Sequence, residues 1–302
     1  MRTSFLLEPP RPYSLSLTAA RFGRFPEVVN RFDGVRFRRL IFVGRRPLEV
    51  GVTQEGVRLR VELLGPEARR RASRQAAEAL LARTLGTAVP LRGFYRAFRD
   101  DPLLGDPIAA FRGLRTAGFA SLFEALVTAT LSQQVNLRFA YDIRRELCLA
   151  FGRRARVEGE VQIAFPTATR LARESDATLR GFRLSAAKAR ALVGLARAFR
   201  SGRLSEERLR PLPDPEVVEA LTALRGVGRW TAETALIRGL GRQDAFPAGD
   251  LGVVKYLAKG LLGHAATARE RDMRAFSERW RPYRALALTY AYAELARRRR
   301  DA

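Results

Sequence analysis

Leu221-Thr222-Ala223-Leu224-Arg225-Gly226-Val227-Gly228-Arg229-Trp230-Thr231-Ala232 joins the end of one helical stretch to the start of another through two glycines set two apart around one aliphatic residue. Glycine at 226 and 228 permits a tight turn and lets the backbone approach a partner closely. The helix expected from Arg229 begins with unpaired N–H groups. With the helix dipole they make an anion site of the kind a phosphate fits. Arg225 and Arg229 add positive charge beside it, and Val227 is expected to be the buried residue that holds the turn.

Outward from this turn, the chain from about residue 89 reads as helical. Periodic apolar stretches lie at 108–114, 122–131, 137–151, 185–200, 215–224, 229–240, 251–262, 267–280 and 283–298. Gly118, Gly152, Pro166, Gly202, Pro211, Pro213 and Gly263 punctuate them. Residues 1–88 read differently. Val57-Arg58-Leu59-Arg60-Val61-Glu62-Leu63 alternates apolar with charged, as a half-buried strand does. Residues 35–43 and 48–52 are also β-like, with breaks at Gly44-Arg45-Arg46-Pro47 and Gln54-Glu55-Gly56 that suit turns. Residues 67–85 read as a helix with Pro66 near its start and Gly86 past its end. The expected class is α+β: an N-terminal domain, 1–88, with a small antiparallel sheet and a covering helix, then an all-α part, 89–302.

The 302 residues are 47% hydrophobic and 28% charged, a composition that folds. Lys plus Arg number 55 against 31 Asp plus Glu, a net charge of +24, and a field of that size favours polyanions such as nucleic acid. Only Lys188, Lys255 and Lys259 are lysines. A GC-rich genome accounts for arginine over lysine, but not for basic over acidic. The run Arg297-Arg298-Arg299-Arg300 reads as a solvated helix end. No apolar run approaches the ~18 residues of a membrane span. The N-terminal apolar stretch is too short for a secretion signal. One cysteine, Cys148, excludes an intrachain disulfide or a cysteine-ligated cluster, and one histidine, His264, excludes His-rich zinc sites. Both are read as structural or incidental. A soluble, cytoplasmic protein that meets no membrane is expected.

The pattern apolar residue, any residue, Gly, aliphatic residue, Gly resembles the helix-hairpin-helix DNA-binding motif. Twenty residues after Trp230 stands Asp250, in Ala245-Phe246-Pro247-Ala248-Gly249-Asp250-Leu251-Gly252. Read locally, Asp250 is a helix N-cap contributing about 1 kcal/mol. Hairpin, helix, loop and carboxylate together resemble the helix-hairpin-helix superfamily of DNA base-excision glycosylases, whose active-site Asp stands at this place. With Glu278-Arg279-Trp280-Arg281-Pro282-Tyr283-Arg284-Ala285, Gly113-Leu114-Arg115, Phe123-Glu124-Ala125-Leu126 and Leu131-Ser132-Gln133-Gln134-Val135, the chain resembles the alkylation-repair 3-methyladenine DNA glycosylase II family. The resemblance spans nearly the whole chain and includes an N-terminal β domain like half of a TATA-binding protein.

The resemblance implies two helical subdomains with the active-site cleft between them. It implies a monomeric, bacterial base-excision-repair enzyme that works at the nucleoid on double-stranded DNA containing damaged bases. Asp250 is then catalytic. Gly226, Val227, Gly228, Arg229 and Thr231 bind DNA, Trp230 and Tyr283 line the pocket for the flipped nucleotide, and Gln134 fills the gap that it leaves, while Trp280 is assigned to the core. No cofactor is implied beyond a structural Na+ or K+ on the main-chain carbonyls of Thr222, Leu224 and Val227. Lyase-type members carry Lys where this chain has Trp230, and without an amine no Schiff base forms. Iron–sulfur members need four cysteines. Both absences imply a monofunctional enzyme. The family commonly has Trp at Tyr283, its best-known member has a leucine wedge at Gln134, and a larger aromatic residue stands at Thr234. The departures at Tyr283 and Thr234 bear on substrate breadth and pocket width, and a glutamine at 134 is able to hydrogen-bond the orphaned base. Alkylated purines are already cationic, so they leave with little acid help. They also stack well on electron-rich rings, by ~0.5–2 kcal/mol per contact. Asp250 stabilises the sugar cation, activates water, or both. The alternatives are a glycosylase for deaminated or etheno bases, a non-catalytic helix-hairpin-helix DNA-binding protein, and a basic protein of nonspecific affinity.

Overall fold

The alternation at 57–63 forms the second strand of a five-stranded antiparallel sheet. In a computed structural model, which describes residues 1–258 and 268–301, the strands are β1 (Arg2–Leu7), β2 (Arg31–Phe32), β3 (Phe37–Val43), β4 (Arg46–Glu55) and β5 (Arg58–Leu64), in the order β1-β5-β4-β3-β2. β1 pairs Arg2 with Leu64 through Leu7 with Leu59. This edge strand is absent from the sequence reading because Phe5-Leu6-Leu7 does not alternate. The helix Leu15–Gly23, capped by the Ser14 side chain, is also additional. Leu15, Ala19 and Phe22 from this helix, and Ala77, Leu80 and Leu81 from the helix Arg71–Thr84, cover the sheet face made by Phe37, Val50, Val52, Leu59, Val61 and Leu63.

The part read as all-α departs from that reading at Arg154–Val157 (β6) and Glu160–Ile163 (β7), a two-stranded hairpin. It turns at Glu158-Gly159 and lays Val157 and the adjoining Ala164 on Leu40 and Leu64, on the other face of the main sheet. The helices gather around two cores. The first takes residues from Leu122–Ser132, Leu137–Phe151, Ala186–Arg200, Asp214–Thr222 and Arg229–Ala235. The second takes residues from Arg92–Phe98, Gly105–Ala110, Glu270–Ser277 and Arg284–Asp301, together with Phe246, Ala248 and Trp280. The helix expected over 229–240 is α-helical to Ala235 and widens to a π turn over Leu236–Leu240. Beyond Asp250 the winding is again π, over Gly252–Leu257. His264 and the far end of the helix expected over 251–262 lie outside the described residues.

A buried charge network fastens sheet to helices. Arg39 on β3 donates to Glu124 at 2.6 Å, Arg144 donates to the other oxygen of Glu124 at 2.6 Å, and Arg144 also donates to Glu27 at 2.6 Å. All four side chains are buried. Burial pushes the Glu124 carboxyl up, but Arg39 and Arg144 outweigh it and hold it below its ordinary value. Burial likewise pushes the adjacent Cys148 thiol up to about 12, which keeps it an inert core residue. Arg144→Met strands the buried Glu27 carboxylate, while Glu124 keeps Arg39, and is expected to lower stability by about 3–5 kcal/mol in urea unfolding at neutral pH. Because the Glu124 pKa is depressed by folding, its share of stability is complete above its ordinary value of 4.5 and is lost as pH falls below that. Wild type is therefore expected to lose this contribution in acid, and Glu124→Gln to show a shallower acid limb.

Candidate active site

The hairpin forms where the helix Asp214–Thr222 ends and Arg229–Ala235 begins. Gly226 has φ +85°, and a Cβ there would sit 2.5 Å from the Ala191 methyl, so this position requires glycine. Val227 is buried and donates its N–H to the Leu224 carbonyl at 3.1 Å. Gly228 has ordinary φ, −86°, and a Cβ there would meet nothing within 4 Å. The hairpin is therefore open at Gly228. Arg225 and Arg229 are exposed beside them. Arg229 donates to Glu233 at 2.9 Å, and Glu233, buried, also takes Arg274 at 2.8 Å. The Thr222, Leu224 and Val227 carbonyls belong to one turn. The Thr222 hydroxyl donates back to the Val218 and Glu219 carbonyls, and the Leu224 carbonyl already accepts the Val227 N–H.

Thr231, expected to bind DNA, turns its side chain inward. It is 1% exposed, and its hydroxyl accepts from Gln133 Nε2 at 2.9 Å. The same Gln133 amide donates to the Gly226 carbonyl at 2.9 Å. Lys188 Nζ donates to the carbonyls of Leu131 at 3.0 Å and Gln133 at 2.7 Å. These bonds clamp the short loop between Ser132 and Asn136, whose tip is Gln134, exposed and left-handed at φ +53°. Sequence reasoning missed Gln133 and Lys188. The one available signal was a lysine in an arginine-rich chain, since a compact ammonium reaches two converging carbonyls where a planar fork does not.

Asp250 ends the loop that begins at Ala245. The Trp230 indole N–H donates to Oδ2 at 2.7 Å. The Tyr292 hydroxyl donates to Oδ1 at 2.8 Å, and the Gly252 N–H donates to Oδ1 at 2.7 Å. Asp250 thus does cap the turn after it, but two further side chains converge on it from other helices. An indole N–H and a main-chain N–H can only donate, so both carboxylate oxygens serve as acceptors. Burial, and then the neighbouring Asp250 charge, raise Tyr292 well above its ordinary value, so it stays a neutral phenol. Thr234 and Arg238 follow Trp230 at four-residue steps. Burial, and then Arg21, pull Arg238 down, opposed by the attraction of Asp250 and Tyr292. Tyr292 was missed because Leu288-Thr289-Tyr290-Ala291-Tyr292 reads as ordinary helix core.

Tyr283 is half-buried and packs edge-on against Phe94, with centroids 5.9 Å apart, and Phe98, 6.4 Å apart. Its hydroxyl closes over Gly93, where a Cβ would stand 2.2 Å away. Its ring and hydroxyl pack on the helix Arg92–Phe98. Trp280 lies wholly in the core between Phe246 and Phe276. Among the described residues no cluster of His, Cys, Asp and Glu is placed to hold a metal ion. The arrangement offers a fixed carboxylate next to a hairpin that can grip phosphate. Such an anion stabilises positive charge developing on a bound sugar. Gln133→Ala removes two of the clamp's bonds at the surface. It is expected to speed amide hydrogen exchange at 133–136 while lowering global stability by no more than about 1 kcal/mol.

Residues 127–282 match the family described as HhH-GPD superfamily base excision DNA repair protein. Over 205 residues, 68% of this chain and 67% of the relative, the chain is 33% identical to the DNA-3-methyladenine glycosylase of Bacillus subtilis. Its fold matches a 3-methyladenine DNA glycosylase from Archaeoglobus fulgidus with a TM-score of 0.84 at 26% identity, covering 97% of this chain and 98% of that one. A TM-score of 0.54 at 25% identity, over 66% of this chain and 93% of the other, relates it to the Schizosaccharomyces pombe 3-methyladenine DNA glycosylase in complex with abasic DNA. With the family match spanning half of the sequence and including both hairpin and carboxylate, the chain belongs to the HhH-GPD superfamily of base excision DNA repair proteins.

Proposed function

We propose that the protein is a monofunctional DNA glycosylase that removes alkylated purines, of the 3-methyladenine and 7-methylguanine type, from double-stranded DNA. The observation that carries this reading is the Asp250 carboxylate, held by Trp230, Tyr292 and the Gly252 N–H at the end of a phosphate-gripping hairpin. The hairpin N–H groups and Arg229 hold the backbone, and Gln134 enters the stack as the damaged nucleotide turns out of the duplex. An alkylated purine is cationic, so the electron pair of the breaking C1′–N bond neutralises it as it leaves. The cation left on the deoxyribose is stabilised by Asp250, and water completes the substitution at C1′. Trp230 stands where lyase-type relatives carry an amine, and its N–H is engaged by Asp250. No Schiff base forms from that position, and the strand stays intact. A main-chain-bound Na+ or K+ at Thr222, Leu224 and Val227 would stiffen the hairpin. The protein acts as a monomer.

Incubated with methylated duplex DNA, the wild type is expected to release free 3-methyladenine or 7-methylguanine and leave a strand that breaks only in alkali. Asp250→Asn is expected to slow release by about a hundredfold or more, by analogy with losing one preorganised charge-stabilising group. Release of deaminated or ethenylated bases instead would move the substrate class. Tight binding with no release of any base would leave only the DNA-binding role. The hairpin contact is tested separately by salt titration. Arg229→Ala is expected to weaken binding to any duplex and to reduce the slope of log affinity against log salt by about 0.9.

A further inference from the structure

Resting on the reading of Asp250 as the group that faces the reacting sugar, we propose that Tyr292 is a positioning residue that selects which carboxylate oxygen does so, filling Oδ1 together with the Gly252 N–H and leaving Oδ2 for the deoxyribose.

A carboxylate offers about two lone-pair directions on each oxygen. Oδ1 accepts from Tyr292 at 2.8 Å and from Gly252 at 2.7 Å, so it is filled. Among the described residues Oδ2 accepts from Trp230 alone, at 2.7 Å, and keeps one direction open. Nothing intrinsic to aspartate makes this choice, because its terminal torsion is broad and two-fold. The Gly252 amide lies in the Asp250 loop and moves with it. Tyr292 comes from outside the loop, on the helix Arg284–Asp301. That helix is tied down by Thr289 to Thr116 at 2.7 Å and by Tyr290 to the Leu114 carbonyl at 3.1 Å. The hydroxyl is therefore presented by a braced element, as a positioning group requires. The fit is close. A Cβ on Gly252 would stand 2.6 Å from the Tyr292 hydroxyl and 2.8 Å from Asp250 Oδ1. A tyrosine that only filled space would be replaceable by phenylalanine without consequence at the carboxylate.

The test uses the full chain and two duplexes. One carries a neutral tetrahydrofuran abasic analogue, and the other a pyrrolidine analogue whose protonated ring nitrogen stands for the sugar cation. The ratio of the two affinities measures how well the carboxylate meets positive charge at that position. Tyr292→Phe is expected to cut the preference for the cationic duplex about tenfold, as loss of a hydrogen bond to a charged group does, and to leave affinity for the neutral duplex unchanged. Gly252→Ala keeps the phenol but displaces its hydroxyl, and is expected to reduce the same ratio. Asp250→Asn is expected to abolish it. A full preference in both Tyr292→Phe and Gly252→Ala, with loss in Asp250→Asn, overturns the role of Tyr292 alone. Equal weakening of both duplexes by Tyr292→Phe also overturns it, since that is a packing effect. An undiminished preference in Asp250→Asn removes the reading of Asp250 on which the proposal rests.

Discussion

The hydrogen bond from Trp230 to Asp250 spans the two helical cores. Trp230 belongs to the short helix whose Ala232 and Ala235 lie in the first core, while Asp250 is flanked by Ala248 and Val253 of the second. The connection between them is constrained throughout. The helix after the hairpin runs only to Ala235, widens over Leu236–Leu240, and turns back at Gly241 with φ +74°. Ala245 then packs into the first core and Phe246 into the second. Placing the carboxylate against the hairpin helix therefore depends on both cores forming. This is why Tyr292, from the last helix, can act as a third point of attachment.

Charge is arranged on the same logic. Most of the interior acids are already committed to arginines: Glu124 to Arg39 and Arg144, Glu206 to Arg83 and Arg210, Glu233 to Arg229 and Arg274. What remains toward solvent is the surplus of base, the source of attraction for a polyanion. Asp250 differs in kind. Among the described residues its hydrogen-bond partners are a neutral indole, a neutral phenol and an amide, and none of these cancels its charge by direct contact. Neutral donors hold the geometry of an anion while leaving its field available to a cation arriving opposite, which an arginine partner would not do.

The features legible in the sequence were those written in one segment. The hairpin rests on the spacing of Gly226, Val227 and Gly228, the strand at 57–63 on strict alternation, and Asp250 on its distance from Trp230. The features that were not legible join segments far apart. Tyr292 meets Asp250 across 42 residues, Gln133 meets Thr231 across 98, and Lys188 meets Gln133 across 55. Each of these residues has a bland local reading, as helix core or as exposed polar chain, and only the packing of helices gives it a partner. The β6–β7 hairpin escaped for another reason. Four-residue strands carry too little periodicity to stand out from a loop, and they persist because the main sheet offers Leu40 and Leu64 to cover. The Thr231 side chain likewise faces inward to hold the neighbouring loop, a contact that its place in the motif does not announce.

That loop carries a cost which only its surroundings offset. Gln134, a residue with a side chain, sits in the left-handed region, unfavourable by about 1–2 kcal/mol. Four hydrogen bonds hold the backbone on its N-terminal side, two from Lys188 to main-chain carbonyls and two from Gln133 to the hairpin. At about 1 kcal/mol each they are enough to balance the strain. Their effect is to settle the loop's shape in the free protein, so that on the proposed reading the insertion of Gln134 into a base stack does not also require ordering its backbone. The clamp also makes loop and hairpin a single body, because Gln133 grips Gly226 and Thr231 on either side of the turn. A wedge rigidly joined to the phosphate grip enters the duplex at a depth set by where that grip lies. On the proposed reading, the hairpin thus sets the depth of Gln134 directly and the approach to Asp250 through Trp230. One short turn then governs both the opening of the stack and the placement of the sugar at the carboxylate.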